Sequence, residues 1–171
     1  PPTFPPTDIA SFLRCCEGSW MSLRSRFDLT ANAAAEPAPE GEGSDANDTW
    51  PQSERGELEV RYVAGPHEAE PGSLSSQPAG AGARTLQFHA DGRFVAADAV
   101  GDGGSHGTWT LWPDGILELS LEPAGRRISE RIWFTKPNLR LRSTVEHFSD
   151  GRAGRASFSS EIRRVSRPAA S

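Results

Sequence analysis

Short turn motifs cut this chain into segments that have the length and the residue pattern of β-strands. Asp91-Gly92, Pro113-Asp114-Gly115, Pro137-Asn138 and Asp150-Gly151 each favour a tight reversal of the backbone. Segments joined by tight turns become antiparallel neighbours, and a sheet of about nine such strands is best stabilised by closing into a barrel, which removes its exposed edges. A barrel of about eight to ten strands is wide enough to hold one small ligand. The predicted strands are Ser19–Leu29, Glu57–Ala64, Arg84–His89, Arg93–Ala97, Gly107–Trp112, Ile116–Glu122, Arg127–Phe134, Leu139–Phe148 and Ala156–Val165.

A short helix is predicted ahead of the first strand. Thr7 or Asp8 can cap its start, and Gly18 can end it. The helix has a single apolar stripe that includes Phe12 and Leu13. We therefore expect it to lie against another part of the fold rather than to stand alone.

Two stretches lack any apolar period. Residues 31–55 and 65–83 are rich in Ala, Gly, Glu and Pro, and this composition predicts flexible loops. A chain of 171 residues is long enough for one domain with one core. The prediction is a single barrel domain over residues 1–171 that carries these two loops.

Charge and composition argue against several classes of protein. The net charge is -5 and the arginines are scattered among acidic residues, so no nucleic-acid partner is expected. No stretch approaches the roughly 18 apolar residues of a membrane span. Cys15 and Cys16 are adjacent, which fits neither disulfide geometry nor a zinc-site spacing. They are interpreted as small side chains at a helix end, with a reactive thiol as the alternative. No signal or transit segment is visible, and a processed N-terminus is expected.

The segment Gly18-Ser19-Trp20 joins the predicted helix to the first strand. Glycine permits the sharp turn between the two elements, and the indole can then close one end of the barrel. This is similar to the G-x-W opening of lipocalin-type barrels. Plain core packing of Trp20 remains the alternative.

The run from Glu130 to Arg142 mixes charged and apolar side chains on two strands. Alternation places Leu139 and Leu141 on one side of the sheet and Arg140 and Arg142 on the other. In an ordinary barrel the leucine side would be the core, and in the alternative the arginine side lines a polar interior. On the last predicted strand, one face carries Ser157, Ser159 and Glu161.

These segments resemble a known family. Residues 130–145, reading E-R-I-W-F-T-K-P-N-L-R-L-R-S-T-V, resemble the signature hairpin of the S-type phycobiliprotein lyases (the CpcS and CpeS group). Residues 156–164 resemble that family's closing strand, and residues 12–26 resemble its opening helix and G-x-W-x-S-x-R segment. The resemblance implies a lipocalin-like or fatty-acid-binding-protein-like barrel of ten strands. It also implies transfer of phycoerythrobilin or phycocyanobilin to a cysteine of an apo-phycobiliprotein, with the bilin as substrate and no tightly bound cofactor.

The resemblance also assigns site residues. The family's pocket carboxylate falls on Glu130 and its pocket arginine on Arg140, which are the predicted catalytic residues; no metal ligand is predicted. A bilin needs flat aromatic surface, yet residues 90–96 lack both tryptophans of the family's W-D-G-x-M-x-W segment. Other aromatic side chains must then supply that surface. The predicted bilin-binding residues are Arg24, Arg142, Thr144, Ser159, Glu161, Trp109, Trp133 and Phe88.

In the implied mechanism, Glu130 accepts hydrogen bonds from the pyrrole nitrogens and protonates the bilin as a thiol of the client protein adds to it. Arg140 clamps a propionate or pairs with Glu130. The alternatives are a non-catalytic carrier of a tetrapyrrole or lipid, and a structural or assembly role. The Ala-, Gly- and Pro-rich inserts favour a nucleus-encoded plastid protein over one of the cyanobacterial cytoplasm. Which bilin, which client and whether the chain is a homodimer are left open by the sequence.

The implied chemistry makes a demand on strand register. If Thr135–Asn138 forms a regular four-residue loop, Glu130 shares a face with Leu139 and Leu141 rather than with Arg140. The chemistry needs Glu130 and Arg140 on the same inward face. We therefore predict an odd-length loop or a β-bulge near the Pro-Asn pair, which reverses the faces beyond it. The leucines should then point outward beneath the helix or a loop, and buried Arg140 should be paired.

Overall fold

Ten antiparallel strands form a closed barrel in the computed structural model, which describes residues 3–30, 52–98 and 104–165. Each strand pairs with its neighbour in the chain, and β1 closes the ring against both β2 and β10. The predicted antiparallel barrel with a short N-terminal helix is confirmed. The elements are α1 Ile9–Cys16, β1 Gly18–Asp28, β2 Gln52–Val63, β3 Gly72–Pro78, β4 Arg84–Phe88, β5 Arg93–Asp98, β6 Ser105–Leu111, β7 Leu117–Leu121, β8 Arg126–Lys136, β9 Leu139–Phe148 and β10 Ala153–Arg163.

One strand was not predicted. β3 lies inside residues 65–83, and β2 begins at Gln52, so assigning 72–78 and 52–55 to loops is wrong. β3 contributes one buried large side chain, Leu74, and is otherwise serine-rich, so it has no apolar alternation of its own. Its backbone is ordered by pairing with β2 on one side and β4 on the other. Residues 31–51 lie outside the described residues, and the flexibility predicted for both loops stays a prediction.

Helix α1 closes one end of the barrel. Asp8 caps its start by accepting a hydrogen bond from the Ser11 backbone N–H at 2.8 Å. Phe12 and Leu13 are fully buried, and the Phe12 ring packs edge-on against Phe134 at 5.3 Å between centroids. These contacts bury the apolar stripe of α1, as predicted. Among the described residues, no helix is both long and apolar enough to cross a membrane.

Gly18 makes the connection from α1 to β1. Its φ of +135° is a conformation that side chains rarely permit, and it aims Trp20 back under the helix. The indole Nε1 donates to the Cys16 carbonyl at 2.9 Å, and Trp20 is fully buried. Both interpretations of Trp20, core packing and closure of one barrel end, are therefore correct, because the buried indole lies beneath α1 at the end that the helix closes.

The interior of the barrel divides into an apolar and a polar half. From β2 to β8 the inward positions are mainly apolar, as with Phe94, Leu117 and Leu119, which are all buried. Along the neighbouring stretch β8-β9-β10-β1, the inward positions change character. There they include Arg24, Glu130, Arg140, Arg142, Ser159 and Glu161.

Packing in the apolar half should be sensitive to one added carbon at Gly107. A Cβ there would lie 2.5 Å from both the Phe94 ring carbon Cε1 and the Ser120 carbonyl oxygen. Gly107→Ala should therefore lower the free energy of unfolding by roughly 1–3 kcal/mol, as overpacking usually does. Urea denaturation measures this. Gly56→Ala is the matched control, because nothing lies within 4 Å of its added Cβ; equal losses in both variants would contradict the packing argument.

Candidate functional site

A β-bulge in the β8-β9 hairpin sets which side chains line the interior. Phe134 pairs with Arg140, and the next pair is Lys136 with Leu139, so Thr135 is the extra residue. Ahead of the bulge, Glu130 pairs with Thr144. The predicted irregularity is confirmed, and it brings Glu130 and Arg140 to the same inward face.

Leu139 and Leu141, which alternate with the two arginines, lie on the outer face of the barrel, as predicted. Leu141 pairs with Trp133 on β8 and with Ser160 on β10, all three being outward positions. However, α1 packs against the inward ring of Phe134 and not over these leucines. The prediction was that the helix or a loop would cover them; the helix does not, because a helix that closes a barrel end packs on inward side chains.

Two arginines and two glutamates form a continuous ionic cluster inside the barrel. Arg140 Nε donates to Glu161 Oε2 at 2.5 Å, and both side chains are almost wholly buried. Arg142 donates to Glu130 through Nη1 and lies 3.4 Å from Glu161 Oε1 through Nε. Glu161 thus holds both arginines, and Arg142 connects it to Glu130. The prediction that a buried Arg140 is paired is confirmed, with Glu161 as its partner.

Arg24 and Ser159 extend this cluster toward β1. Arg24 Nε donates to the Ser159 hydroxyl at 3.2 Å, and Ser159 is paired with Arg142 across the β9-β10 ladder. Thr144 follows on the same inward face, opposite Glu130. The structure therefore brings every polar residue of the predicted site onto one wall. Among the predicted site residues on this wall, three arginines face two carboxylates, an excess of one positive charge.

Electrostatics favour the charged forms of Glu161 and Arg142. Burial by itself would raise the pKa of Glu161, but the guanidinium groups of Arg142 and Arg140 outweigh it and lower that pKa below its ordinary value. Burial opposes the charge of Arg142 as well, yet Glu161 and Glu130 raise its pKa. Within the described part of the chain, Arg140 Nη2, Arg142 Nε and Glu161 Oε1 are buried without a hydrogen-bond partner. The wall is charged and has polar atoms that a polar ligand could satisfy.

The predicted aromatic residues are divided between the two faces. Phe88 is fully buried against Phe94 and Trp109, with centroid distances of 5.9 and 6.4 Å. Trp109 is inward and donates its indole N–H to the His89 carbonyl at 2.9 Å. Trp133 lies on the outer face, where its ring meets Phe158 at 6.3 Å. Placing Trp133 in the pocket was wrong, because it stands between two inward residues of an alternating strand.

Trp20 is a site residue that the sequence reasoning left out. Its ring lies between two guanidinium groups, that of Arg140 at 4.5 Å and that of Arg163 at 4.2 Å. Arg163 also donates to the carbonyl oxygens of Cys15 and Glu17 at the end of α1. The sequence could have indicated this, because Trp20 and the predicted site residue Arg24 are four residues apart on one strand and therefore share a face of the sheet. Trp20 therefore forms the floor against which Arg140 is fixed.

A cleft of about 590 Å³ lies at the other end of the barrel. The β7-β8 and β9-β10 turns form it, and they lie opposite the end that α1 closes. Arg126, Arg127 and His147 line it, and Arg126 pairs with Glu146 at 2.9 Å. It contains none of the residues of the ionic cluster, so it belongs to the rim of the barrel.

Comparison with known proteins identifies the family. A family profile described as CpeS-like protein matches residues 104–164. A protein of Paulinella chromatophora named chromophore lyase CpcS/CpeS 1 is 40% identical over 166 residues, which cover 96% of this chain and 92% of that relative. This chain belongs to the CpcS/CpeS chromophore lyase family. The predicted family and the predicted class of enzyme are confirmed.

One further curated relative carries the same family name, and two solved structures share the fold. Chromophore lyase CpcS/CpeS 2 of Synechococcus sp. (strain JA-3-3Ab) is 49% identical over 61 residues, which is 35% of this chain and 32% of the relative. The solved S-type phycobiliprotein lyase CPES from Guillardia theta superposes with a TM-score of 0.60 at 21% identity, covering 93% of this chain and 94% of that one. A Nostoc punctiforme protein of unknown function, of the DUF3598 family, gives a TM-score of 0.56 at 14% identity, over 89% of this chain and 48% of that one. At these identities both structures show the fold alone.

The matched segment of this lyase-family chain holds most of the ionic cluster. Residues 104–164 include Glu130, Arg140, Arg142 and Glu161, whereas Arg24 lies in the first strand, outside the segment. β1 pairs with β10 along the ladder, and Arg24 adds a side-chain contact from the opening strand to Ser159 of the matched part.

The two cysteines of this lyase-family barrel are free and poorly suited to nucleophilic attack. Cys16 is fully buried, and its burial raises the pKa of the thiol despite the nearby Arg140 and Arg142. Burial raises the pKa of Cys15 as well. Because the thiolate is the reactive form, both cysteines behave as small side chains at the end of α1.

Proposed function

We propose that this protein binds phycoerythrobilin or phycocyanobilin inside its barrel and attaches it to a cysteine of an apo-phycobiliprotein. Support comes from the family, whose curated members are named chromophore lyases. The Guillardia theta protein of the same fold is described as a phycobiliprotein lyase. The observation that carries the proposal is the ionic cluster, because together with Arg24 it places two carboxylates and three arginines on one wall of a barrel whose other half is mainly apolar.

The division of the interior matches the chemistry of a linear tetrapyrrole. Such a molecule has an extended apolar framework, pyrrole N–H groups and two propionate carboxylates. The apolar half, with Phe88 and Trp109, offers surface to the framework. The predicted site residues on the polar wall carry an excess of one positive charge, which one propionate would neutralise. Arg24 and Arg142 are only partly buried and are the arginines we assign to that carboxylate.

Glu130 is the group we assign to proton transfer. Its side chain is 15% exposed, and Arg142 holds it on the polar wall. In the reaction the client's thiol sulfur forms a bond to the ethylidene carbon of the A ring, the ethylidene double bond opens, and the protonated Glu130 carboxyl gives a proton to the ring system. The proton lost by the thiol returns to the Glu130 carboxylate, so the step is a balanced addition of the thiol to the double bond. Acid assistance of this kind typically contributes about 10²- to 10⁴-fold.

Arg140 acts as a positioning residue in this mechanism. It is almost wholly buried between Trp20 and Glu161, so it fixes the carboxylate that in turn holds Arg142. The barrel needs no nucleophile of its own, since the client supplies the thiol. Its main contribution is to hold a flexible pigment in one orientation.

A non-catalytic carrier of a bilin, another tetrapyrrole or a lipid is the second candidate. The observation in its favour is the limited aromatic surface: Trp133 faces outward, and residues 90–96 lack tryptophan. A carrier would use the same arginines for the carboxylates of its ligand. A plastid location, with the cyanobacterial cytoplasm as the alternative, remains a prediction; the named relatives come from Paulinella and cyanobacteria.

Mixing the protein with each bilin in turn, with and without an apo-phycobiliprotein, tests the proposal. We expect the absorption spectrum of the bilin to change on binding, and pigment to stay attached to the client on a denaturing gel. The control is bilin with client alone, which measures spontaneous attachment. A spectral change without extra adduct would identify a carrier, and no spectral change with either bilin would reject both functions.

A further inference from the structure

Arg163 borders the ionic cluster but has no part in the proposed mechanism. It is an inward position at the end of β10 and pairs with Trp20 on β1. In the described part of the chain it forms no ion pair, and its guanidinium donates instead to three backbone carbonyl oxygens. These belong to Cys15 at 2.5 Å, to Glu17, and to Pro137 at 3.4 Å.

The carbonyl groups that Arg163 binds belong to two different elements. Cys15 and Glu17 lie at the C-terminal end of α1, where backbone carbonyls have no partner within the helix. Pro137 lies in the turn between β8 and β9, and the Arg163 backbone N–H also donates to the adjacent Asn138 carbonyl at 2.9 Å. One residue therefore joins the end of the helix to the β8-β9 hairpin, whose bulge determines which side chains face the ionic cluster.

The same guanidinium lies against Trp20. Its central carbon is 4.2 Å from the centroid of the indole, and that of Arg140 is 4.5 Å away, so the ring lies between two cations. Burial and the charge of Arg140 both lower the pKa of Arg163 below its ordinary value. Two like charges close to one ring repel each other. Because its carbonyl partners hold Arg163 in place, this repulsion favours the contact of Arg140 with Glu161.

The backbone leaves space for this guanidinium. A Cβ at Gly18 would lie 2.6 Å from Arg163 Nη1, so a side chain at that position would push the guanidinium away from the indole. The positive φ of Gly18 already makes the turn from α1 into β1. Its missing side chain therefore has a second consequence, which is room for Arg163 beside the ring.

The position of Glu130 depends on that of Arg140 through a series of ion pairs. Arg140 binds Glu161 at 2.5 Å, and Glu161 Oε1 lies 3.4 Å from Arg142 Nε. Arg142 in turn donates to Glu130. A tilt of the Trp20 ring would move Arg140 first and then each of these groups. A displacement of about 1 Å at a reacting group can lower a rate about 100-fold.

We propose that Arg163 is a positioning residue for bilin attachment, which fixes Trp20 and thereby holds Arg140 and the ionic cluster in the arrangement that places Glu130. The inference rests on the proposed function. Arg163 lies beside Trp20 at the end that α1 closes, so it acts through other residues. The planar guanidinium is what this role requires. The ammonium group of a lysine is a point charge that can neither stack on the indole in this way nor span the carbonyl groups of two elements.

Replacing Arg163 with methionine tests the proposal, since methionine keeps much of the volume and removes the guanidinium. We expect the rate of attachment to fall at least tenfold, with an unchanged KM for the client. The absorption maximum of the bound bilin should also shift, which a purely structural role would not cause in a folded variant. Arg163→Lys should restore neither property. The matched control is Arg164→Met, because the adjacent arginine is 53% exposed, pairs with Glu57 and should leave both unchanged.

A double variant shows whether Arg163 acts through Arg140. Arg140→Lys keeps a positive charge beside Glu161 but loses the guanidinium that stacks on Trp20. Adding Arg163→Met to Arg140→Lys should therefore lower the attachment rate much less than Arg163→Met lowers it in the wild type. A full additional loss would overturn the proposal.

Melting curves show whether each variant is folded at the assay temperature. A folded Arg163→Met with the attachment rate and bilin spectrum of the wild type would overturn the proposal, and so would full rescue by Arg163→Lys. If Arg163→Met does not fold, Arg163→Lys takes its place, and wild-type attachment by that variant overturns the proposal. These results leave the proposed function standing as long as the wild type attaches bilin. A wild type that attaches none would overturn both.

Discussion

Replacing Glu161 with glutamine should lower the free energy of unfolding by about 3–5 kcal/mol, the usual cost of removing one partner from a buried ion pair. Glu161 is fully buried and is the carboxylate bound to Arg140, whose own side chain is 2% exposed. Arg142 would keep Glu130 as a partner, but Arg140 would be left as a buried charge against Trp20. Urea denaturation at pH 7 measures the loss. The matched control is Glu57→Gln, since the pair of Glu57 with Arg164 is more than half exposed and should contribute less than about 1 kcal/mol.

The dependence on pH separates an ionic cause from a packing defect. The pKa of Glu161 is lowered in the folded protein because Arg142 and Arg140 outweigh the effect of burial. The stabilisation it supplies is therefore present above its ordinary value of 4.5 and is lost as the pH falls through the lower, folded value. The gap between wild type and Glu161→Gln should close as the pH falls below that ordinary value. A gap that stays constant down to the acid limit of folding would show that the charge of Glu161 is not what stabilises the barrel.

The barrel could be predicted because most of its strands and turns are specified by residues that are close together in the sequence. Four of the turns are specified by Gly, Pro, Asp or Asn motifs, and each predicted strand has its own β-type residues. β3 could not be predicted in this way, because Leu74 is its only large buried side chain. Its extended backbone is held by pairing with β2 and β4 on either side. A local pattern cannot report a strand that is held mainly by its neighbours.

The site was predicted through the family resemblance more than through the pattern. In the β8-β9 hairpin, the alternation alone would have made the leucine side the core, as in an ordinary barrel. The bulge at Thr135 reverses this, and neither glycine nor another turn residue marks the extra position. Two long-range contacts together require the bulge, since Phe134 on β8 faces inward to meet Phe12 and Trp20 while Arg140 on β9 faces inward to meet Glu161.

The wrong placement of Trp133 in the pocket could have been avoided by applying strand alternation. It is three residues from Glu130, so an unbroken strand places the two on opposite faces whatever the register of the hairpin. Once Glu130 is assigned to the interior, Trp133 must be outside. Trp133 was assigned to the pocket by its aromatic chemistry alone, whereas its ring packs against Phe158 on the outside of the barrel.

Replacing Glu130 with glutamine should lower the rate of bilin attachment at least tenfold while most bilin binding is kept. Glutamine cannot donate the proton, which is worth about 10² to 10⁴ in rate where acid assistance operates. Its carbonyl oxygen can still accept a pyrrole N–H, and Arg142 keeps Glu161 as an ionic partner. Spectral titration measures binding, and the pigment fixed to the client on a denaturing gel measures attachment.

The control for this variant is Glu118→Gln, because it removes a carboxylate of the adjoining strand that lies on the outer surface, paired with Arg131. It should bind and attach bilin like the wild type. Wild-type attachment by Glu130→Gln would remove Glu130 from proton transfer. If Glu130→Gln lost binding and attachment to the same extent, Glu130 would be a binding group only, since a group that acts in the transition state must affect attachment more than binding. The two titrations together therefore decide whether the carboxylate at the open end of the ionic cluster holds the pigment or reacts with it.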